Sequence, residues 1–377
     1  LLENITIDQL KKVEIEDLLG RDTVKPEPEF LRQNVTDKLV LVSGAGGSIG
    51  SELVAQLARL DPKQLILLEN SEFALYSTMS AIEKADGLVD IDIHPVLGSV
   101  GDRERMFELV ASCRPDTIFH AAAYKHVHIV EGNPYAGLHT NYFGTKNLAD
   151  AAAENNVGVF LLISSDKAVR PTNFMGATKR LSELYVQMLA QQNKGPKFVA
   201  VRFGNVLGSS GSDVPAFRAQ IETGGPITVT HPDMERYFMT ISEAVELVIQ
   251  ATVIADNGAV LLLDMGQPVK IDMLARQMIT LSGFSVRDMD NPDGQIEILY
   301  SGLRPGEKLF EELLFDGQSA RTTHPRIFKA NESNKSLDRF RDLYQKLESF
   351  DVTIDSDDIK IAVTELLPEY QPYFESD

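Results

Sequence analysis

The chain has 377 residues, of which 43% are hydrophobic, so it can bury a full core and is not an intrinsically disordered protein. Its 36 basic and 55 acidic residues give a net charge of −19, which argues against nucleic acid or an anionic membrane surface as a general partner. Cys113 is its one cysteine, which excludes an internal disulfide, and no apolar run reaches the roughly 18 residues of a membrane-spanning helix.

Residues 1–37 are polar and contain "VKPEPEF", a stretch typical of a linker or docking arm. The chain carries no secretory signal and begins at Leu1 without a methionine. We therefore expect a fragment or a processed form of a longer protein, with any membrane anchor upstream of this N-terminal arm.

Apolar strands and helices alternate from residue 38 onwards. The predicted strands are "KLVLVS" (38–43), "QLILLE" (64–69), "IDIHPVL" (91–97), "DTIFHAA" (116–122), "VGVFLLISS" (157–165) and "PKFVAVRFG" (196–204). Helical spacing is found in "GSELVAQLARL" and at 71–84, 103–112, 134–154 and 173–192. Strands this apolar, separated by helices, predict an α/β fold with a Rossmann-type doubly wound parallel sheet.

The alternation ends at about residue 205, where loops, short helices and isolated strands begin. We expect 38–204 to form the Rossmann core with the catalytic segment. Residues 205–334 are expected to form mainly a smaller substrate-binding lobe over the carboxyl ends of the strands. That region includes interleaved core elements such as the predicted strand "LLLDMG" (261–266), and 335–377 is predicted to form C-terminal helices.

The stretch "VSGAGGSIG" follows the first strand and opens a helix. Gly44 permits a tight turn, Gly47 lets the backbone approach a pyrophosphate, and Gly50 lets the helix pack closely on the sheet. The amides at the start of the helix, those of Ser48, Ile49 and Gly50, then meet the phosphate charge. Glu69 ends the second strand, and an acid there binds ribose hydroxyls and repels a 2′-phosphate. The pattern predicts a dinucleotide site that favours NAD over NADP.

From about residue 38 to 330, the chain resembles an extended short-chain dehydrogenase/reductase that acts on nucleotide sugars. More narrowly, it is similar to bacterial UDP-N-acetylglucosamine 4,6-dehydratases. The matching stretches are "GAGGSIGSEL", "HAAAYKHV", "NYFGTKNL", "SSDKAVRPTNFMGATKR", "RFGNVLGSSGSDVPAF", "THPDMERYFMTISEA" and "LRPGEKLFEELL". The early stretch "QLKKVEIEDLLGR" resembles the segment after the membrane helices of long family members. This implies the catalytic part of a membrane-anchored glycan biosynthesis protein, at the cytoplasmic face of the bacterial inner membrane.

The resemblance implies a lyase reaction in which NAD is used catalytically. The C4 hydroxyl is oxidised, the C5 proton is removed as the C6 hydroxyl leaves as water, and hydride returns to C6. The family pattern makes Asp166 the acid for the C6 hydroxyl and Lys167 the base for C5. Ordinary pKa values of about 3.9 and 10.4 do not suit these roles, so we expect a dry site that leaves the proton on the carboxyl group. The alternative is an exposed ion pair at a strand end.

Met175 stands where most family members have a tyrosine that helps to remove the C4 hydroxyl proton. The resembled subgroup also has methionine there, so Met175 does not indicate a dead site. Lys179, one helical turn later, is expected to hold the nicotinamide ribose. The acceptor of the C4 proton remains open, with Asp166 preferred and Lys179 second. Ser165 is expected either to bond the C4 oxygen or to satisfy local backbone groups.

Substrate residues follow from the same resemblance. Lys125 and His126 are expected to line the sugar pocket, with a surface loop as the alternative. Asn205 and Arg304 match positions near the nucleotide and diphosphate, and Glu307 is expected either to bond the ribose or to pair with Arg304. No metal site is expected at His126 and His128, and Arg202 is assigned a structural role at most.

Two rival functions remain. One is an epimerase or reductase of the same fold, against which the missing tyrosine argues. The other is a non-catalytic NAD-binding protein, against which the retained Asp166, Lys167 and Lys179 argue. A UDP-sugar substrate and a homo-oligomer paired through the 134–154 helix are also expected.

Overall fold

The computed structural model describes residues 26–85, 91–192, 195–313, 319–332 and 335–373. Most of the predicted N-terminal arm, including "QLKKVEIEDLLGR", lies outside the described residues. Within them, the strands are β1 (Leu39–Ser43), β2 (Gln64–Glu69), β3 (Ile93–Leu97), β4 (Thr117–His120), β5 (Val159–Ile163), β6 (Lys197–Arg202), β7 (Asn205–Val206), β8 (Ile227–Val229), β9 (Glu235–Arg236), β10 (Phe238–Met239), β11 (Ala259–Leu263), β12 (Val269–Lys270), β13 (Val286–Arg287), β14 (Ile296–Tyr300), β15 (Ser319–Arg321) and β16 (Ile327–Ala330).

The α-helices of the same residues are α1 (Pro28–Arg32), α2 (Ser48–Ala58), α3 (Glu72–Glu83), α4 (Arg103–Cys113), α5 (Val127–Glu131), α6 (Pro134–Gly137), α7 (Gly144–Glu154), α8 (Phe174–Gln191), α9 (Asp213–Glu222), α10 (Ile241–Ile254), α11 (Ile271–Leu281), α12 (Lys335–Leu343) and α13 (Ser356–Leu366). Short 3₁₀ turns at Asp166–Ala168 and Tyr344–Ser349 and a π-helix at Leu138–Phe143 complete the described helical segments. None of these helices is long and apolar enough to cross a membrane.

The chain divides into two compact units. The larger one comprises Lys25–Phe203, Ala244–Asp264 and Glu312–Asp377, and the described part of the smaller one comprises Gly204–Glu243 and Met265–Glu311. In the larger unit, the end of the predicted arm packs on α10, where Asn34 Nδ2 donates to Thr252 Oγ1 at 3.1 Å.

The sheet of the larger unit has the order β15-β16-β11-β6-β5-β4-β1-β2-β3. The seven neighbouring strands β11, β6, β5, β4, β1, β2 and β3 run parallel. At the β11 edge, β16 and β15 are added as antiparallel strands. Apart from β3, these parallel strands are buried almost throughout, because helices cover both faces. The predicted fold class is confirmed, and so is the "LLLDMG" strand as β11.

The strand order reverses between β1 and β4, since β2 and β3 lie on one side of β1 and β4 to β6 on the other. Ser43 at the end of β1 pairs with Leu68 on β2 and with His120 on β4. The carboxyl ends of these strands therefore meet at one level, at the switch point where open α/β sheets bind ligands.

The region predicted as one helix over 134–154 is divided into α6, a π-helix and α7. The carbonyl oxygen of Asn141 accepts hydrogen bonds from Thr145 Oγ1 at 2.6 Å and from Ser182 Oγ at 2.9 Å. Because two hydroxyl groups occupy an acceptor of the helical ladder, the regular hydrogen-bond spacing is locally widened.

The smaller unit has a core of its own, formed by residues of α9, α11 and the parallel sheet β13-β14-β8. Two further two-stranded ladders, β7 with β10 and β9 with β12, belong to the same unit. The smaller unit is thus a folded body with its own hydrophobic centre.

The C-terminal helices α12 and α13 belong to the larger unit, and α12 is followed directly by the 3₁₀ turn that begins at Tyr344. Phe340 of α12 meets Tyr142 of the π-helix edge-on, with ring centroids 6.2 Å apart. Both side chains are fully buried, so these helices are part of the hydrophobic core.

A buried ion network joins α8 to the sheet. Glu183 accepts hydrogen bonds from Arg202 Nε at 2.7 Å, from Arg202 Nη2 at 2.6 Å and from Ser164 Oγ at 2.6 Å. Arg180 Nη1 lies 3.1 Å from the same carboxylate, and Glu332 pairs with both arginines. Burial alone would raise the pKa of Glu183, but Arg202 and then Arg180 and Ser164 hold it at about 2. Arg202 therefore has the structural role considered for it.

We expect Glu183→Gln to destabilise the protein by about 3–5 kcal/mol, because it leaves two buried guanidinium groups without a full counter-charge. Urea unfolding at neutral pH measures this loss. The matched control is Glu365→Gln, which breaks a pair with Lys346 whose side chains are 51% and 54% exposed, and it should change the unfolding curve little. Equal effects of the two substitutions would contradict the importance of the network.

Candidate functional site

The turn between β1 and α2 is closely packed against the β4 loop. Gly44 has φ +68°, and a Cβ there would lie 2.7 Å from the backbone of Ala122. A Cβ on Gly50 would lie 1.9 Å from the carbonyl oxygen of Gly44. Both positions therefore exclude any side chain, which fits the glycine pattern of a dinucleotide turn.

A cleft of about 260 Å³ opens beside this turn. Its lining comes from the ends of β1, β2, β3 and β4 and includes Gly44, Gly47, Glu69, Ser99 and Tyr124. The amides of Ser48, Ile49 and Gly50 belong to the first turn of α2 and have no acceptor within the helix. The cleft thus combines a helix N-terminus with a glycine-lined wall, which suits a phosphate group.

Glu69 lies at the end of β2 in this cleft, with 8% of its surface exposed. Its Oε2 accepts from the amide of Gly46 at 2.9 Å, and its Oε1 accepts from the amides of Asn70 and Ser71 at 2.9 and 3.0 Å. These backbone donors fix the carboxylate, and its remaining lone pairs can accept from hydroxyl groups of a ligand.

The predicted acid and base lie on the 3₁₀ turn that follows β5. Lys167 Nζ lies 3.1 Å from Asp166 Oδ1, and the Asp166 side chain is 1% exposed against 17% for Lys167. The amide of Asp166 donates to the carbonyl of Phe203 at 3.1 Å, which ties the turn to the end of β6. An exposed ion pair is thereby excluded, because the carboxyl group is buried.

Ser165 caps this turn. Its Oγ accepts from the amide of Lys167 at 3.2 Å and donates to Asp166 Oδ1 at 2.9 Å. The side chain therefore satisfies local groups, which was the second of the two expectations for it, and it also orients the Asp166 carboxylate.

Helix α8 carries Met175 and Lys179 and packs closely on the same turn. A Cβ on Gly176 would lie 2.1 Å from the carbonyl oxygen of Lys167, so only glycine allows this approach. Met175 is 3% exposed and belongs to the hydrophobic core. Burial lowers the pKa of Lys179 to about 8, although the Glu183 carboxylate opposes the shift. Lys179 can therefore exchange a proton near neutral pH.

His120, which was absent from the predicted site, links the glycine turn to the interior. Thr145 Oγ1 donates to the Asn141 carbonyl, so it must accept from His120 Nε2–H at 2.9 Å. His120 Nδ1 then accepts from Ser43 Oγ at 2.7 Å. Burial, and then the nearby Lys179 charge, lower the pKa of His120 to about 3, so the ring is neutral. Its place at the end of a buried strand was the available sequence signal.

Asn141 is a second residue that sequence reasoning missed, although "NYFGTKNL" contains it. Its side chain accepts from the amide of Tyr124 at 2.7 Å and donates to the Tyr124 carbonyl at 3.0 Å. The same amide group donates to Thr178 Oγ1 at 2.9 Å. Asn141 thus fixes the loop after β4 relative to the helix that carries Lys179.

Lys125 and His126 lie on that loop, and His126 directly precedes α5. Partial burial lowers the pKa of Lys125. Partial burial also lowers the pKa of His126, with further contributions from the charges of Lys125 and His128. Both side chains are therefore easier to deprotonate than in free solution.

Asn205, Arg304 and Glu307 belong to the smaller unit, whereas the other predicted site residues belong to the larger one. Glu307 Oε2 accepts from the backbone amide of Arg304 at 3.2 Å, and Glu307 Oε1 lies 3.7 Å from Arg236 Nη2. Glu307 therefore pairs with Arg236 and with the Arg304 backbone. Arg236, within "THPDMERYFMT", is a buried arginine that sequence reasoning missed.

A family model described as polysaccharide biosynthesis protein matches residues 40–332. The chain belongs to this family. The match covers the whole described sheet, and α12 and α13 lie beyond it.

The family assignment agrees with individual relatives. The chain is 50% identical over 310 residues to the capsular polysaccharide biosynthesis protein CapD of Staphylococcus aureus, a match that covers 82% of this chain and 50% of CapD. It thus spans about half of that relative's length. The X-ray structure of Pen from Bacillus thuringiensis is 32% identical, with a TM-score of 0.71 over 80% of this chain and 90% of Pen.

A dTDP-glucose 4,6-dehydratase from Streptomyces venezuelae, DesIV, shares the fold at 19% identity. The TM-score is 0.63, over 74% of this chain and 88% of DesIV, and that structure contains NAD. Together these comparisons establish the polysaccharide biosynthesis family and a Rossmann-type fold that the chain shares with DesIV.

We expect His120 to make the protein less stable in acid. The unfolded state binds a proton at this residue below its ordinary pKa of about 6.5, whereas the folded state does not until the pH approaches about 3. The contribution of His120 should therefore lower the free energy of unfolding by about 1.4 kcal/mol for each pH unit as the pH drops from about 6 to about 4.

The measurement is urea unfolding across this pH range for wild type, His120→Gln and the control His94→Gln, whose histidine is exposed. His120→Gln should flatten the pH dependence, and His94→Gln should leave it unchanged. If the free energy of unfolding changed with pH by the same slope in all three proteins, the assignment of His120 as a buried neutral residue would be refuted.

Proposed function

We propose that this protein catalyses the NAD-dependent 4,6-dehydration of UDP-N-acetylglucosamine to a UDP-4-keto-6-deoxy-N-acetylhexosamine. The observation that carries the proposal is the Asp166–Lys167 pair, which couples a carboxyl group of 1% exposure to an ammonium group at 3.1 Å. A buried carboxyl beside an amine is suited to a proton-transfer step, and Met175 beside it marks the subgroup that the sequence resembles.

NAD fits the cleft at the β1–α2 turn. Gly44, Gly47 and Glu69 line this cleft, so the glycine backbone is assigned to the pyrophosphate and Glu69 to the ribose hydroxyls. The amides of Ser48, Ile49 and Gly50, in the first turn of α2, are assigned to the phosphate charge. The fixed carboxylate of Glu69 favours NAD over NADP. When bound, the cofactor accepts hydride from C4 and returns it to C6.

The elimination is assigned to the turn after β5. Lys167, as a neutral amine, removes the C5 proton, which is acidic because C4 is then a ketone. Asp166, as a neutral acid, gives its proton to the C6 oxygen, which leaves as water. Lys167 returns a proton to C5 when hydride reaches C6. Ser165 orients the Asp166 carboxyl through the 2.9 Å hydrogen bond.

The acceptor of the C4 hydroxyl proton is not Met175, since a thioether cannot carry a proton. Asp166 is the first candidate, because its carboxylate form can take this proton before donating it at C6. Lys179 is the second, because its pKa of about 8 makes the neutral amine accessible near neutral pH. In either case, the Lys179 ammonium stabilises negative charge on the C4 oxygen and holds the nicotinamide ribose.

Binding of the UDP-sugar is assigned to the residues that the family resemblance indicates. Lys125 and His126 contact the sugar, whereas Asn205 and Arg304 contact the uridine diphosphate. The Arg304 side chain is exposed and forms no ion pair within the described residues, so its guanidinium is available for a phosphate. Glu307 acts through Arg236 and the Arg304 backbone more than through the ribose.

An epimerase of the same fold is the alternative reaction. Inversion at C4 needs no base at C5 and no acid at C6, so it would leave the Asp166–Lys167 pair without a task. Burying two ionisable groups costs free energy in any protonation state, which also argues against a binding-only protein that has merely kept them.

The test is incubation with UDP-N-acetylglucosamine in heavy water, followed by mass spectrometry. The expected product has lost one water and carries one solvent deuteron at C5. Lys167→Ala should reduce product formation by about 10³-fold or more, because the C5 base is lost, while NAD binding stays within about twofold. Unchanged substrate with wild-type protein, or equal loss of turnover and NAD binding in Lys167→Ala, would overturn the assignment.

For the cofactor, we expect Gly50→Ala to abolish NAD binding measured by calorimetry. The added methyl would sit 1.9 Å from the Gly44 carbonyl oxygen and must displace the turn. Gly132→Ala is the control, since its methyl would meet nothing closer than 3.8 Å. Normal NAD affinity in a folded Gly50→Ala protein would place the cofactor elsewhere.

A further inference from the structure

Helix α8, which carries Met175 and Lys179, begins against a carboxylate from another element. Glu131 is the last residue of α5, and its Oε2 accepts from the amide of Phe174, the first residue of α8, at 2.7 Å. Glu131 is 7% exposed. A carboxylate at this place satisfies an amide that has no acceptor within the helix and interacts favourably with the helix dipole.

The counter-charge of Glu131 comes from the C-terminal helix α13. Lys360 Nζ lies 3.0 Å from Glu131 Oε1, and the two side chains are 7% and 6% exposed. Lys360 Nζ also donates to the carbonyl of Tyr373 at 2.9 Å. Because a buried carboxylate without a partner is strongly unfavourable, Lys360 supplies the counter-charge that Glu131 needs at the start of α8.

Three further contacts tie the end of the chain to the segment that leads into α8. The amide of Gln371 donates to the carbonyl of Pro171 at 3.0 Å. The Tyr370 ring meets Phe174 edge-on at 6.2 Å, and Glu369 lies 3.5 Å from Arg180. Burial raises the pKa of the Tyr370 hydroxyl, and the Glu131 carboxylate raises it further, so this group is neutral.

We propose that Glu131 and Lys360 are a positioning pair for the catalytic helix: the C-terminal helix, through Lys360, holds Glu131 at the N-terminus of α8 and thereby sets the position of Lys179. The proposal rests on the proposed function. It assigns a role in the reaction to a segment that lies beyond the family match at residues 40–332. The pair does not touch substrate or cofactor, so its effect on the reaction passes through α8.

The test compares Lys360→Met with Lys346→Met, which breaks an exposed pair in the same C-terminal region. For Lys360→Met, kcat should fall on the order of 10- to 100-fold, because small displacements of a catalytic group have effects of this size. KM for the UDP-sugar should stay within about twofold, since neither Lys125 nor the smaller unit is altered. The double variant Glu131→Gln/Lys360→Met removes the buried charge but keeps an acceptor for Phe174, and it should recover most of kcat.

Hydrogen exchange gives a readout that needs no substrate. Amides 174–177 should exchange faster in Lys360→Met than in wild type and return towards wild type in the double variant. A lower melting temperature with unchanged kcat and unchanged exchange would overturn the proposal, as would equal effects of Lys346→Met. If Lys360→Met does not fold, Glu131→Ala replaces it, because alanine removes the acceptor of the Phe174 amide. Unchanged kcat and exchange in Glu131→Ala would then overturn the proposal.

Failure of the proposed function has a separate signature. In that case wild type makes no dehydrated product, whereas the exchange comparison still decides whether Lys360 controls the start of α8. Faster exchange at 174–177 then supports the coupling, and unchanged exchange refutes it.

Discussion

The fully buried carboxylate of Glu183 is the constraint on which the arrangement of α8, β6 and the end of β5 depends. Two hydrogen bonds from Arg202, one from Ser164 and the charge of Arg180 are needed together, because any of them missing leaves a charge in the interior. These partners come from α8, from β6 and from the residue after β5. Satisfying the charge of Glu183 therefore fixes the helix of Lys179 relative to the strand ends that bear the Asp166–Lys167 turn.

A second, uncharged chain of hydrogen bonds serves the cofactor side. Ser43, His120 and Thr145 connect the end of β1 with α7 through a ring that stays neutral. Neutrality matters here, because an imidazolium would place a second positive charge near Lys179. The larger unit thus has two kinds of internal support: uncharged hydrogen bonds lie beside the cleft, and the ion network lies beside the Asp166–Lys167 turn.

The sequence was sufficient to predict features that depend on residues close together in the chain. The glycine turn, the parallel strands and the adjacent Asp166 and Lys167 all follow from local pattern. The widened turn at Asn141 was not predictable, because one of its causes is a hydroxyl on α8, far along the chain. Glu183 was missed for the same reason: an acid on an amphipathic helix is ordinarily a surface residue, and only the fold brings Arg202 to it.

The C-terminal helices have a consequence for how fragments of this family are prepared. Phe340 covers Tyr142, and Tyr370 covers Phe174, so the described chain completes its core only with residues beyond the family match at 332. A fragment cut at that similarity boundary would expose buried aromatic rings on α8 and the π-helix and would tend to self-associate. The boundary seen by sequence similarity and the boundary of the folding unit are therefore different, and the second is the safer guide for truncation.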